Sequence, residues 1–355
     1  MEFNKNQINI TKGVAILFML LLHLFCTKEY IDLFKPLIII GDTPFIYYLA
    51  LFGDCCVPIY CFCSGYGLLI GYKNNKETYM KKNLIRILKL YINYWIVLII
   101  FVLGLGFIMN KSNIYLGDLK TFILTFTAID PAYNGAWWFV TIYIILVLLS
   151  PIINKIVTKY NSYTILSISL IIYLVGYVQR IKVPIVFNNE VLDLIIRQLA
   201  LFGTSQLPYV AGAIFAEHKI YSKLYNIFKH IKLKNILCIS LIIAMVIGHG
   251  FVQTLAVAPF TGIAFICLFN LIDKPRVIND LLSYLSRHST NMWLTHMFFY
   301  MIYFKDLVYA PKYPVLIFIW LIVLCLASSY LIDIIYRPII KKLEFKVKDK
   351  QIVYQ

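Results

Sequence analysis

Charge is scarce in this 355-residue chain, and acid is scarcer than base: 14% of residues are charged, with 17 Asp and Glu against 33 Lys and Arg. Soluble domains carry about a quarter of their residues charged, so a water-soluble globular fold is excluded. A repeat of fixed period, a low-complexity tract and a hydrophilic stretch long enough for a separate domain are all missing. Without a compact basic domain, the net charge of +16 has no surface on which to hold nucleic acid, and no such partner is expected. The eight cysteines, at 26, 55, 56, 61, 63, 238, 267 and 325, lie almost entirely inside apolar runs. No CxxC pair has a second pair or a histidine partner, so neither a disulfide nor a metal site is expected.

What the chain has instead is hydrocarbon: 61% of residues are hydrophobic and mean hydropathy is +0.78. Apolar runs of the roughly 20 residues that cross a bilayer as a helix lie near 8–27, 44–71, 84–109, 136–154, 163–180, 191–216, 234–250, 254–272, 288–304 and 314–336. The expected fold is an all-α polytopic membrane protein of about ten transmembrane helices. Residues 1–340 form the transmembrane domain, and 341–355 a short basic tail resting on anionic headgroups. The first run lacks a small-residue cleavage site and is expected to stay as helix one. With the amino terminus inside, 24 Lys and Arg fall in inner segments and 8, among them Arg180, in outer loops. That asymmetry puts both termini in the cytoplasm and accounts for most of the net charge.

Ionisable groups inside such spans mark function by default. His23 sits in the first span, KGVAILFMLLLHLFC, eleven residues after Lys12. At helical rise the two share a face and lie about 16 Å apart along the axis. A neutral imidazole there either relays a proton or binds a neighbouring helix as polar glue. Asp54, in LFGDCCVPIYCFCSGYGLL, either reaches water at the outer end or turns inward to orient His23. The glycines of Ser64-Gly65-Tyr66-Gly67 suit close helix packing. In YMKKNLIRILKLYINYW before the third span, Lys81, Lys82, Arg86 and Lys89 either clamp phosphates or anchor topology. Asp193 and Arg197 stand at ion-pair spacing on the sixth span with Thr204 beyond them. Ser289, His296 and Tyr303 recur at sevens on the ninth, with Tyr300 beside them.

Four strings, NITKGVAILFMLLLH, VPIYCFCSGYGLL, AWWFVTIYIILVLLSPII and TNMWLTHMFF, in that order, resemble the bacterial integral-membrane acyltransferases called acyltransferase family 3, over nearly the whole chain. The resemblance implies an O-acyltransferase in the bacterial cytoplasmic membrane. It takes acyl, usually acetyl, from cytosolic acyl-CoA to a hydroxyl of a cell-surface polysaccharide or lipid-linked sugar. Acetyl-CoA is a donor substrate here, not a bound cofactor. The family's essential helix-one histidine falls on His23. Its Arg-x-x-Arg motif has its second arginine at Arg86, while Asn83 replaces the first. Many relatives carry a further SGNH-type domain, for which this chain ends too soon, so transfer is expected to be completed by the membrane domain alone or by a separate extracytoplasmic transferase; a homo-oligomer is the other partner expected. On this reading His23, Asp54 and His296 are the catalytic candidates. Lys12, Lys82, Arg86 and Lys89 hold the donor, and Trp137, Trp138 and Arg197 hold the acceptor. The other reading is a carrier or flippase for the same intermediates, in which these groups line a path without chemistry.

Overall fold

The computed structural model describes residues 2–110 and 118–352, with side chains through Glu344. Lys111 and the side chains of the tail cations Lys346, Lys348 and Lys350 lie outside the described residues. The fold is all-α: among the described residues strand is confined to a hairpin of two two-residue strands, Ile39–Ile40 against Thr43–Pro44. The long helices are α1 (Lys5–Phe25), α2 (Phe45–Asn74), α3 (Lys76–Ile108), α5 (Gly135–Lys159), α6 (Ser162–Lys182), α7 (Glu190–His218), α9 (Lys234–Phe251), α10 (Leu255–Leu271), α11 (Arg276–Met297) and α13 (Pro314–Ile352). Short helices α4 (Leu119–Phe126), α8 (Ile220–Phe228) and α12 (Lys305–Tyr309) connect them.

These ten long helices fall at the ten expected spans, and among the described residues eight are both long and apolar enough to cross a membrane. The other two are informative. α10 is short, and α11 is long but polar, because it carries Arg276, Asp280, Arg287, His288 and Asn291 along its length. The apolar run marked only the end of α11, which starts well before residue 288 because charged positions lower hydropathy without breaking a helix. α3 likewise begins at Lys76, where the Asn75 side chain caps it by accepting from Thr78 N at 3.0 Å. The cationic cluster is therefore part of a helix, and not of the loop expected before it.

Backbone contacts set the packing. A methyl group on Gly13 would fall 2.0 Å from the Leu282 carbonyl oxygen, and one on Gly65 1.9 Å from that of Tyr209. Glycine is what lets α1 lie directly on α11 and α2 on α7. Gly67, by contrast, faces open space. Between α3 and α5, LKTFILTF forms α4. Asp118 caps it, and hydrogen bonds from the Thr121 hydroxyl and the Lys120 amide hold that carboxyl below its usual range. The far end of α4 is docked by α3: Tyr94 Oη donates to Thr125 O at 2.6 Å, Tyr91 Oη to Thr127 O at 2.8 Å and Trp95 Nε1 to Phe126 O at 2.9 Å. Those bonds occupy carbonyls that a helix end leaves without partners.

Three helices tighten or loosen at sites that matter below. α2 passes through a 3₁₀ turn at Phe52–Cys55, which carries Asp54. α6 ends in a π turn at Val178–Lys182 with Arg180, and α11 runs into another at Phe298–Tyr303 with Tyr300. Such interruptions re-aim side chains that a regular helix would point elsewhere.

Candidate active site

A cavity of about 700 Å³ runs inside the bundle, with Lys12 and His23 both on its wall. The capping box of Asn4 and Gln7 starts α1, and regular helix then carries the three turns that put these two side chains on one face. Because successive long helices run in opposite directions, the carboxyl ends of α1, α6 and α11 and the amino ends of α5 and α7 share one end of the bundle. His23, Trp138 and Arg180 line the cavity toward that end, and Lys12, Arg86, Lys89 and Arg287 toward the other.

At the His23 end, α11 closes on α1. The His23 and His296 rings stand 4.8 Å apart, and the Tyr300 hydroxyl lies 3.3 Å from His23 Nδ1. His296 Nδ1 is 2.7 Å from the Trp293 carbonyl. A carbonyl only accepts, so this nitrogen bears the proton and Nε2 is left with its lone pair. Among the described residues that Nε2 has no partner. His296 is fully buried and packs behind His23, off the cavity wall; of the two imidazoles, His23 is the one a ligand can touch.

Asp54 lines the cavity but does not reach His23. Its Oδ2 lies 3.1 Å from Nε2 of His249 on α9, and both side chains are almost wholly buried. The carboxylate expected to orient the helix-one histidine thus orients another imidazole, 195 positions away in sequence. His23 has Tyr300 as its partner instead. Sequence reasoning passed over His249 because it falls at the end of a span, where a histidine is unremarkable; the pairing depends on the 3₁₀ turn that swings Asp54 inward.

The acceptor candidates separate in the same way. Trp138 is on the cavity wall, whereas Trp137 is buried and donates its Nε1 to the Leu294 carbonyl at 2.9 Å. Arg197 is not on the wall either. It pairs with Asp130 at 2.7 Å with its side chain 49% exposed, while Asp193 accepts from the Phe187 amide at 2.7 Å. The expected Asp193–Arg197 pair therefore does not form: both groups face chain segments before their helix or across from it. The arginine on the cavity wall at the His23 end is Arg180, stacked 4.7 Å over the Trp138 ring and donating to Thr204 Oγ1 at 3.2 Å. The charge count puts it among the outer-loop cations although the apolar run at 163–180 reaches it, and the π turn at Val178–Lys182 carries it at the end of α6.

At the opposite end, Arg86 Nη1 donates to Asn83 Oδ1 at 3.0 Å, and Asn83 Nδ2 donates to Ser150 Oγ of α5 at 3.0 Å. The residue standing where the family motif has an arginine is a buried tether that fixes Arg86. Lys89 lines the cavity and is ion-paired with Glu344 of α13; Lys82 is exposed and off the wall. Arg287, which sequence reasoning counted only as a topology charge, is on the wall. Between the ends, Asn93 Nδ2 donates to Asn291 Oδ1 at 2.6 Å.

Residues 5–334 match the family model described as an acyltransferase domain, nearly the whole chain, and the chain belongs to that family. No curated protein and no solved structure matches it.

Proposed function

We propose that this multi-pass membrane acyltransferase is an O-acyltransferase, moving acetyl or another short acyl group from acyl-CoA to a hydroxyl of a cell-surface glycan or lipid-linked sugar. The observation that carries the reading is that one cavity joins Lys12, Arg86 and Lys89 to His23. Phosphates of the donor need a fixed fork and point charges, which the first three supply. A weakly acidic hydroxyl needs a base at the reacting carbon, which His23 supplies. The separation of about 16 Å that helical rise sets along α1 suits a donor whose nucleotide and thioester lie at opposite ends of a flexible arm. By the charge count the Lys12 end faces the cytosol of a bacterium, where acyl-CoA is made.

The chemistry follows from the tautomer. In the tautomer that carries its proton on Nδ1, facing the Tyr300 oxygen at 3.3 Å, His23 leaves Nε2 free to take the proton of an acceptor hydroxyl. That oxygen attacks the thioester carbonyl, the C–O bond forms and the C–S bond breaks. The leaving thiolate takes the proton back from the imidazolium, giving ester and free CoA.

Purified protein in lipid nanodiscs, given labelled acetyl-CoA with and without an alkyl glycoside, tests this. Acceptor-dependent CoA release and labelled ester are expected. Movement of a lipid-linked sugar across a vesicle without CoA release would instead make the protein a carrier.

A further inference from the structure

Arg180 is held in a way that calls for a ligand. Its side chain points into the cavity, it stacks on Trp138, and Thr204 takes one of its donors. Among the described residues the guanidinium makes no ion pair and no other hydrogen bond, although a guanidinium has five N–H donors. The carboxylates on the wall are Asp54, engaged by His249, and Asp333, engaged by Arg337 of its own helix. Against them the wall presents Lys12, Arg86, Lys89, Arg180 and Arg287. An arginine between helices without an anion is costly, and an aromatic face compensates only in part.

We propose that Arg180 and Trp138 form an acceptor subsite for an oxyanion, so that the sugar receiving the acyl group carries a phosphate or carboxylate near the hydroxyl that reacts. This rests on the acyltransferase reading and names the acceptor's charge. Arg180 shares its end of the cavity with His23, whereas the donor's phosphates have their own cations at the far end. The walls beside it are fixed: Tyr173 Oη donates to the Ala256 carbonyl at 3.0 Å, and Tyr177 Oη lies 2.7 Å from Thr254 Oγ1. With their hydroxyls engaged, these rings offer apolar faces to a sugar, and Arg180 supplies the polar group that fixes its orientation.

Binding can be read without turnover. Titration calorimetry in phosphate-free maltoside micelles, with no acyl-CoA present, compares p-nitrophenyl glucoside, p-nitrophenyl glucuronide and the phosphate ester of the glucoside. One anionic probe is expected to bind roughly tenfold to a hundredfold more tightly than the neutral one, and the tighter of the two identifies the group. Arg180→Ala should abolish that preference, Arg180→Lys should keep part of it, and acyl-CoA affinity should hold in both. Three results would overturn the proposal: no preference for either anion, an equal loss for neutral and anionic probes, or weakened acyl-CoA binding in Arg180→Ala. A lipid headgroup as the true occupant is a fourth, seen as a drop in melting temperature of Arg180→Ala confined to phosphatidylglycerol nanodiscs. Because the readout is binding, failure of acyl transfer would count against the enzymatic reading and leave this one to its own test.

Discussion

The two ends of the cavity hold their polar groups by opposite means. At the Lys12 end the groups are long cations on α1, α3 and α11, steadied by contacts such as Arg86 to Asn83 and Lys89 to Glu344. At the His23 end they are imidazoles, a carboxylate and one arginine, each held against a ring: His23 against His296 and Tyr300, Asp54 against His249, Arg180 against Trp138. Adaptable cations suit a diffusible, multiply charged ligand that must enter and leave. Locked rings suit a step in which a proton and a carbonyl carbon have to be placed within a few tenths of an ångström. If this contrast is right, substitutions at the locked end damage rate or stability, and those at the cationic end damage donor affinity.

The largest expected effect is at His23. His23→Ala should lower acyl transfer about a hundred- to ten-thousand-fold, the usual cost of losing a general base, with acyl-CoA affinity and membrane insertion retained. His296→Ala removes a ring behind His23 and not the ring in the cavity, so it should cost less and shift rate and melting temperature together. Equal losses in the two would erase the distinction between a base and its backing. Transfer near wild type in His23→Ala would remove the mechanism.

Next comes the buried pair. Asp54→Ala leaves His249 enclosed without its partner, and breaking a buried pair from one side costs about 3–5 kcal/mol. Asp54→Asn, which still offers an oxygen to a His249 N–H, should recover much of the melting temperature. Should Asp54→Ala melt like wild type and lose transfer, Asp54 belongs to the chemistry and the locked end holds two working groups.

Arg86 probes the other end. Arg86→Ala should raise the KM for acyl-CoA by roughly tenfold or more, from the loss of a charge-assisted hydrogen bond, with kcat less affected. Arg86→Lys should restore only part, since a point charge does not reproduce the planar fork. Asn83→Arg brings back the usual family motif but forces a guanidinium into the buried site against Ser150, so a lower melting temperature is expected and not tighter donor binding. An unchanged KM in Arg86→Ala would reduce the cluster to a topology anchor.

The all-α bundle, its ten rods and the shared face of Lys12 and His23 were legible in the sequence because they follow from hydropathy and helical rise, which are local. What was not legible depends on local departures from helix. The 3₁₀ turn at Asp54 gave it to His249, and the π turn at Arg180 carried that residue from its assigned loop into the cavity. The start of α11 was missed for a different reason: a helix that forms a polar wall is polar, and a search for apolar runs passes over it.

Arg197 carries the smallest expected effect and is the sharpest check on that account. Its spacing from Asp193 made it a candidate for acceptor binding, but in the fold it stands off the cavity wall, pairing with Asp130 where its neighbour Gln198 also donates to the Ile129 carbonyl at 2.9 Å. An ion pair this exposed contributes about 0.2–1 kcal/mol. Arg197→Ala should therefore leave the acceptor KM and kcat within twofold of wild type and lower the melting temperature only slightly, in a salt-dependent way. Arg180→Ala, a cation of the same kind on the adjacent helix, should raise the KM for an anionic acceptor while leaving the salt dependence of melting alone. Both variants lose one arginine from the same end of the bundle, so a general electrostatic role would move them together. Only a role fixed by which side chain enters the cavity separates them.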